Sequence, residues 1–382
     1  MIPFSYWPEM LNYPFFLANG WMPYRDWSSV YTPFFLYFLK FFYDIFGYTI
    51  SSYQLLVILI FAVTSLLVFR ITKSFIALSF FAVAYFAFGG NAVWFEMFLA
   101  PFILTMYLLN NSTLISLLFS ICVLSKQTAF YLLPLVINDL IKKPVPFLLL
   151  VIIFVVYLIV NNLIFDFYRW GIEFVFFLPK AGDISFPTLK QGLVVLTFIF
   201  PLIILKNPKT AKFSFFTLLF AFPRFEFFHL IPFLTIFTVA VSKKPFLFLV
   251  PLIPTLLLFK TTLNLGNRFI EPSVLEIASD LQKADKSIFS LNGPDQIYFL
   301  TNKMPAVRPW VDQLPWQLKF VKEEFYESFI AARPDIIITK PYLAEPVQGL
   351  GAYKPENVWK FVSNNYHLVK TYGDNTQILE RN

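Results

Sequence analysis

The sequence predicts a polytopic α-helical membrane protein carrying a small extracytoplasmic α/β domain at its carboxyl end. Three observations lead there. Of 382 residues, 58% are hydrophobic and only 14% are charged, against about 25% charged in an ordinary soluble domain. The mean hydropathy is +0.65. The charges are also unevenly spread: residues 1–261 hold 17 basic and 9 acidic side chains, residues 262–382 hold 13 and 14. A water-soluble enzyme and a disordered chain are excluded by this composition. A nucleic-acid-binding module is excluded too, because the net charge of +7 arises wholly in the apolar part, where basic residues report orientation.

Three regions follow: a first outer loop over 1–51, a helical bundle over 52–261 and a soluble domain over 262–382. Within the loop, Tyr31–Gly47 is apolar enough to suggest a span, yet it carries Lys40, Asp44 and a helical Phe/Leu face. It reads as an amphipathic helix lying in the outer interface. A spanning helix needs about 20 mostly apolar residues, fewer when its ends snorkel. Candidate spans are 52–71, 74–90, 93–110, 113–125, 128–141, 145–165, 190–206, 211–223, 228–242 and 246–261, with only Asn110-Asn111-Ser112 dividing the third from the fourth.

Alternating these spans sorts the charges. One side receives Arg70, Lys73, Lys142, Lys143, Lys206, Lys209, Lys212, Lys243 and Lys244 with Asp139 as its only acid; the other receives eight bases and eight acids. The Lys-rich turns are therefore cytoplasmic, and the first loop and the C-terminal domain lie outside. Placing residues 1–51 outside calls for a further span upstream of Met1, since Met1-Ile2-Pro3-Phe4-Ser5-Tyr6 has neither a basic start nor a sustained apolar core. The expected native arrangement is eleven spans.

In the tail, Ser287–Leu291 and Ile336–Thr339 are strand-like, Trp316–Ala332 and Pro355–Asn364 are helical, and Tyr366–Glu380 reads as a hairpin turning at Gly373-Asp374-Asn375. No phosphate loop or nucleophile elbow appears, and Gly349-Leu350-Gly351 reads as a loop. The lone Cys122 sits in an apolar run, and with two His residues no Cys/His metal set is possible.

Ionisable groups at membrane depth are functional candidates, and here they gather on one face. Glu9, Arg25, Asp26, Glu96, Lys126, Arg224, Glu226 and His229 all map to outer loops or outer span ends, beside dense aromatic sequence. Three local sequences hold them. The first is Pro8-Glu9-Met10-Leu11-Asn12-Tyr13 followed by Gly20-Trp21-Met22-Pro23-Tyr24-Arg25-Asp26 and Thr32-Pro33. The others are Ser125-Lys126-Gln127-Thr128-Ala129 and Pro223-Arg224-Phe225-Glu226-Phe227-Phe228-His229-Leu230-Ile231-Pro232.

At these residues the chain resembles the GT-C superfamily of membrane glycosyltransferases, the group of the protein O-mannosyltransferases and the lipid A aminoarabinose transferase. Members place a large outer loop with a catalytic acid near its start, then a Gly-x-x-Pro-Tyr-x-Asp segment and a Pro-containing interfacial helix. The resemblance covers the whole architecture and implies transfer of a sugar from a polyprenyl-phosphate carrier to a lipid, glycan or protein acceptor at the outer face of the cell membrane, with inversion. A carboxylate would take the acceptor's proton, and cations would offset charge growing on the leaving phosphate. Family members usually have Asp at the start of the loop. This chain has no Asp before Asp26, so Glu9 is the candidate base and Asp26 the alternative. Arg25, Lys126, Arg224 and His229 are candidates for the donor phosphate, and Glu96 for orienting a cation or sugar hydroxyls. No metal is implied, although Glu9, Asp26 and Glu96 are oxygen ligands of the kind Mg²⁺ or Mn²⁺ takes.

Each residue also has an ordinary reading. Glu9 suits a helix N-terminus, Asp26 suits pairing with Arg25, Lys126 suits snorkelling, and Arg224, Glu226 and His229 suit a span end. Trp21, Tyr24, Trp27 and Tyr31 suit an interfacial belt as well as a sugar-stacking wall. A secondary transporter would show internal repeats and Gly-interrupted helices; this chain has 12 Gly and its charges crowd one face. A lipid-linked oligosaccharide polymerase or ligase would use a large late outer loop, whereas 166–189, with Arg169, Glu173, Lys180 and Asp183, is modest. A non-catalytic scaffold is the third alternative.

Overall fold

A computed structural model of the protein describes residues 3–181, 185–222, 224–268, 270–312, 314–342 and 353–382. The first loop folds as α1 (Pro8–Ala18) and α2 (Phe34–Phe46). Pro8 opens α1, where a missing N–H costs nothing, and Glu9 falls in its first turn. On α2, Phe35, Leu36, Leu39, Phe42 and Tyr43 are buried, while Phe41 and Ile45 are 63% and 59% exposed. A helix with one apolar face packed inward and another left bare beside the Lys40–Asp44 pair (2.6 Å) has the form expected of a helix at a lipid surface.

Each of the ten apolar stretches contains a helix: α3 (Ile50–Thr72), α4 (Phe75–Ala87), α5 (Phe95–Leu108), α6 (Ser112–Ser125), α7 (Leu133–Lys142), α8 (Val145–Val160), then, beyond the short α9 (Ile164–Tyr168) and α10 (Phe174–Ala181), α11 (Leu189–Leu205), α12 (Pro208–Leu218), α13 (Ile231–Val241) and α14 (Leu249–Asn264). Among the described residues, two, Ile50–Thr72 and Pro245–Asn264, are long and apolar enough to cross a membrane alone; Gln127–Lys142 and Val145–Val160 form a pair bent by 107°. The bend follows from Pro144 and Pro146, which forbid a continuous ladder. The helices start where short polar side chains cap them: Thr49, Ser74, Asn111 and Asn207 each accept an N–H of the first turn, and Thr188 with Gln191 forms a reciprocal box. Asn111 is thus the residue that separates α5 from α6. The stretch expected at 211–223 is the most altered: α12 starts earlier, at Pro208, and tightens into a 3₁₀ turn at Leu219–Ala221. Along α8, Leu148, Ile152, Val156 and Ile159 stand about half exposed, a continuous apolar surface of the kind lipid covers.

The tail adds α15 (Pro272–Gln282), α16 (Ile297–Thr301), α17 (Pro315–Phe320), α18 (Lys322–Ala332) and α19 (Glu356–Asn365) to a sheet of β1 (Ile288–Ser290), β2 (Ile336–Thr339), β3 (Tyr366–Thr371) and β4 (Gln377–Arg381) in the order β1-β2-β4-β3. β1 and β2 are parallel, and β4 pairs antiparallel with both β2 and β3. The expected hairpin turns where Asn375 takes a positive φ of 63°. The helix expected over Trp316–Ala332 divides in two at Val321, whose ψ of 26° leaves the helical ladder. Gly349-Leu350-Gly351 lies outside the described residues, as do Asp183, Pro223 and the side chain of Lys180.

The tail packs onto the first loop rather than hanging free of it. Trp310 N–H donates to the Asp26 carbonyl (2.8 Å) and Ser28 N–H to the Trp310 carbonyl (2.9 Å). Phe16 of α1 meets Trp310 at 5.5 Å and Tyr298 at 6.2 Å, and Trp27 and Trp310 are fully buried. That seam sets α1 against the tail and positions the site described next.

Candidate active site

The first cluster begins at the turn into α5. Gly89 has φ +85°, a backbone region that a side chain rarely adopts, and a Cβ on Gly90 would strike the Tyr85 ring at 2.2 Å. The turn they allow delivers Glu96 into the first turn of α5, with no solvent exposure. Lys126, at the end of α6, places Nζ 2.5 Å from Glu96 Oε1, and His229, in the turn before α13, places Nδ1 2.6 Å from the same oxygen. Three residues far apart in sequence thus converge on one atom, and Glu96 Oε2 is buried without a hydrogen-bond partner. Aromatic rings wall the group: Tyr31 and Phe95 lie 4.2 Å apart, Lys126 Nζ stands 5.8 Å from the first ring and 5.7 Å from the second, and Trp94 packs on Trp7 at 5.1 Å.

The second cluster joins α1 to the tail. Glu9 is partly buried, and its Oε2 is shielded from water without a hydrogen-bond partner. Tyr13, one turn on, donates its hydroxyl to Asp312 Oδ2 at 2.7 Å. The same oxygen receives Gln317 Nε2 at 3.1 Å. Burial and the nearby Asp312 charge push the Glu9 carboxyl above the ordinary carboxylate range, against a smaller opposing pull from Arg224. Burial raises Asp312 as well, less far, because the Tyr13 and Gln317 donors favour its charged form. Tyr31 lies within electrostatic reach of Glu9, Glu96, Asp312 and Arg224, so it stands between the two clusters.

The remaining candidates are engaged elsewhere. Asp26 is buried; its Oδ1 meets Arg308 at 2.6 Å and its Oδ2 accepts the Met22 N–H at 2.7 Å. Arg25 points away, to Asp166 (3.2 Å) and the Asn161 and Asn162 carbonyls. Arg224 lies over the Trp316 ring at 5.1 Å with Glu226 at 3.9 Å, and Arg268 lies over Trp7 at 5.4 Å. Among the described residues no group of three or more His, Cys, Asp or Glu side chains is arranged to hold a metal ion.

Next to Arg224 runs an apolar groove. One chamber of about 390 Å³ is lined by Pro187, Leu189, Gly192, Leu193, Leu196 and Phe225. A second, of about 220 Å³, shares Pro187, Val195 and Phe225 with it and reaches Leu230, beside His229. Sequence reasoning missed Asp295, Asp312, Tyr13, Gln317 and Arg268. Four of these five lie in or beside the tail, and no spacing in the sequence links them to Glu9.

No family model matches the chain, and no curated protein matches it. Among solved structures, the crystal structure of ArnT from Cupriavidus metallidurans bound to undecaprenyl phosphate matches with a TM-score of 0.59 at 12% sequence identity, covering 99% of this chain and 94% of that one. ArnT is the lipid A aminoarabinose transferase, a GT-C enzyme, so the resemblance expected from the sequence holds at the level of fold.

Proposed function

We propose that this chain, which shares the ArnT fold, is an integral-membrane glycosyltransferase that moves a sugar from a polyprenyl-phosphate carrier to an acceptor hydroxyl at the outer face of the plasma membrane. The three-part division into outer loop, spanning bundle and extracytoplasmic α/β domain belongs to the same proposal. The observation that carries the chemistry is Glu9: a carboxylate whose shielded Oε2 has no partner, set on α1 within electrostatic reach of Arg224.

In this reading the acceptor oxygen attacks C1 of the sugar from the face opposite the carrier. The C1–O bond to the phosphate breaks, its electron pair leaves with the lipid phosphate, and the acceptor proton passes to Glu9. A raised proton affinity makes Glu9 a stronger base once ionised. Lys126 spends one of its three N–H donors on Glu96, which fixes the ammonium and leaves the other two for phosphate oxygens. Arg224, at the mouth of the apolar groove, supplies the second cation, and His229 completes the hold on Glu96. The groove takes the first isoprene units of the carrier. Asp26 and Arg25 shape the loop through Arg308 and Asp166 rather than touching the reacting atoms.

Purified protein in lipid nanodiscs, given labelled polyprenyl-phosphate hexoses and pentoses, tests this. Wild type consumes at least one donor; Glu9→Gln binds the lipid but transfers nothing, while Asp26→Asn retains measurable turnover. If Asp26→Asn abolishes transfer and Glu9→Gln does not, the base is misassigned. Should no donor be consumed by wild type, the transferase reading fails and the transporter and scaffold alternatives return.

A further inference from the structure

The residues that surround Glu9 do not all come from the membrane part of the chain. Glu9 and Tyr13 are four residues apart on α1 and so share a face. Tyr13 commits its hydroxyl to Asp312 Oδ2 (2.7 Å), while Glu9 Oε2 is buried without a hydrogen-bond partner. Asp312 is itself locked: Gln317 Nε2 donates to it at 3.1 Å, its own N–H donates to Ser28 Oγ at 3.1 Å, and Ser28 Oγ donates to Gln317 Oε1 at 2.5 Å. All four of these side chains are buried, and the Trp310 backbone bonds to Asp26 and Ser28 hold the ring against the first loop.

We infer that Asp312 is a positioning residue for Glu9, carried to α1 by the C-terminal segment and joined to it through Tyr13, so that the base is competent only when that segment is seated. The catalytic consequence rests on Glu9 being the proton acceptor; the pairing of the two carboxyls does not. Asp312 lies within electrostatic reach of Glu9, and carboxyls that interact strongly titrate as a pair. The donors on Asp312 favour charge there, which leaves the proton on Glu9. The other groups facing the pair are Tyr31 from the first loop, Tyr53 from α3, Arg224 from the turn before α13 and Asp295 from the tail. Arg224 opposes proton retention and Asp295 adds to it.

Infrared titration of protonated carboxyl groups in the purified full-length protein tests the pairing without any turnover. Asp312→Asn should move the Glu9 midpoint to lower pH by roughly one unit or more, and Tyr13→Phe, which removes a donor to the charged form of Asp312, should move the Asp312 midpoint to higher pH. The second variant keeps the test valid if the first folds poorly. In transfer assays Asp312→Asn should shift the acidic limb of the pH–rate profile downward and lower kcat, with the KM for lipid donor unchanged. Unmoved midpoints in both variants overturn the inference even if transfer is observed. Coupled midpoints in a protein that consumes no donor leave the pairing standing and overturn the transferase reading instead.

Discussion

Lys126 and His229 meet on one atom: Nζ lies 2.5 Å and Nδ1 2.6 Å from Glu96 Oε1, with Glu96 fully buried. Taking charges out of water costs more than their attraction returns unless geometry is good, and removing one partner strands the other. Glu96→Gln, which leaves Lys126 charged in a dry site, should destabilise the fold by about 3–5 kcal/mol. The Glu96→Leu/Lys126→Met pair, which removes both charges, should recover much of that loss without recovering transfer. Thermal unfolding in nanodiscs measures both, and equal stability of Glu96→Gln and wild type would show that Lys126 finds another partner.

In the proposed reading Glu9 links catalysis to pH with a definite sign. Its carboxyl is raised above the ordinary carboxylate range by burial and by Asp312, so the folded chain holds a proton that the unfolded chain has already released. Stability from this group is therefore complete below the unfolded pKa and is lost as pH rises through the folded one. Glu9→Gln cannot ionise, so it should melt higher than wild type in mildly alkaline buffer and nearly alike in acid, while transferring no sugar. Transfer by wild type should instead rise with pH across the neutral range as the base form fills. A melting difference of the opposite sign would mean that Glu9 is ionised and paired in the folded state.

Asp26 and Arg308 form a tie of unequal halves. Asp26 is buried, whereas the Arg308 side chain is 55% exposed, so solvent screens most of what the cation contributes. Arg308→Ala should cost under about 1 kcal/mol. Asp26→Asn also weakens the charged acceptor of the Met22 N–H, and should cost about 1–3 kcal/mol. Both variants should keep transfer within roughly tenfold of wild type, a change of about 1.4 kcal/mol in barrier. Loss of transfer in Asp26→Asn at unchanged stability would restore Asp26 as the base.

Much of this was legible in the sequence, for physical reasons that also mark the limit. Apolar runs, caps such as Asn111 and breaks such as Pro144 are local signals, and helices are present at each of the stretches they marked. Ile336–Thr339 was readable as a strand because a β-branched run between turn residues has few other solutions. Glu96, Lys126 and His229 stood out because ionisable groups are rare in apolar sequence, although nothing in their spacing says that they converge on one oxygen. Asp312 was invisible. In the tail one acid among fourteen is unremarkable, and only the seam between Trp27 and Trp310 brings it to Tyr13, 299 residues away. The helix at Pro272–Gln282 was missed as well, its short apolar stripe of Val274, Ile277, Ala278 and Leu281 being easily lost after the strongly apolar bundle.

In the proposed reading the groove beside Arg224 takes the lipid chain and Arg224 its phosphate, so the two can be tested apart. A Cβ added at Gly192 would meet nothing within 4 Å, so Gly192→Leu should be tolerated by α11, where leucine also has the better helix propensity, while filling the chamber it lines. The expected result is a raised KM for long-chain polyprenyl-phosphate sugars with kcat little changed, and no effect on a donor whose chain is too short to reach that chamber. Arg224→Gln removes a charge-assisted contact of about 1.5–3 kcal/mol, so it should raise KM by about 10- to 150-fold for long and short donors alike. If Gly192→Leu impaired both donors equally, the groove would be ordinary lipid-facing surface and the carrier would enter the site by another route.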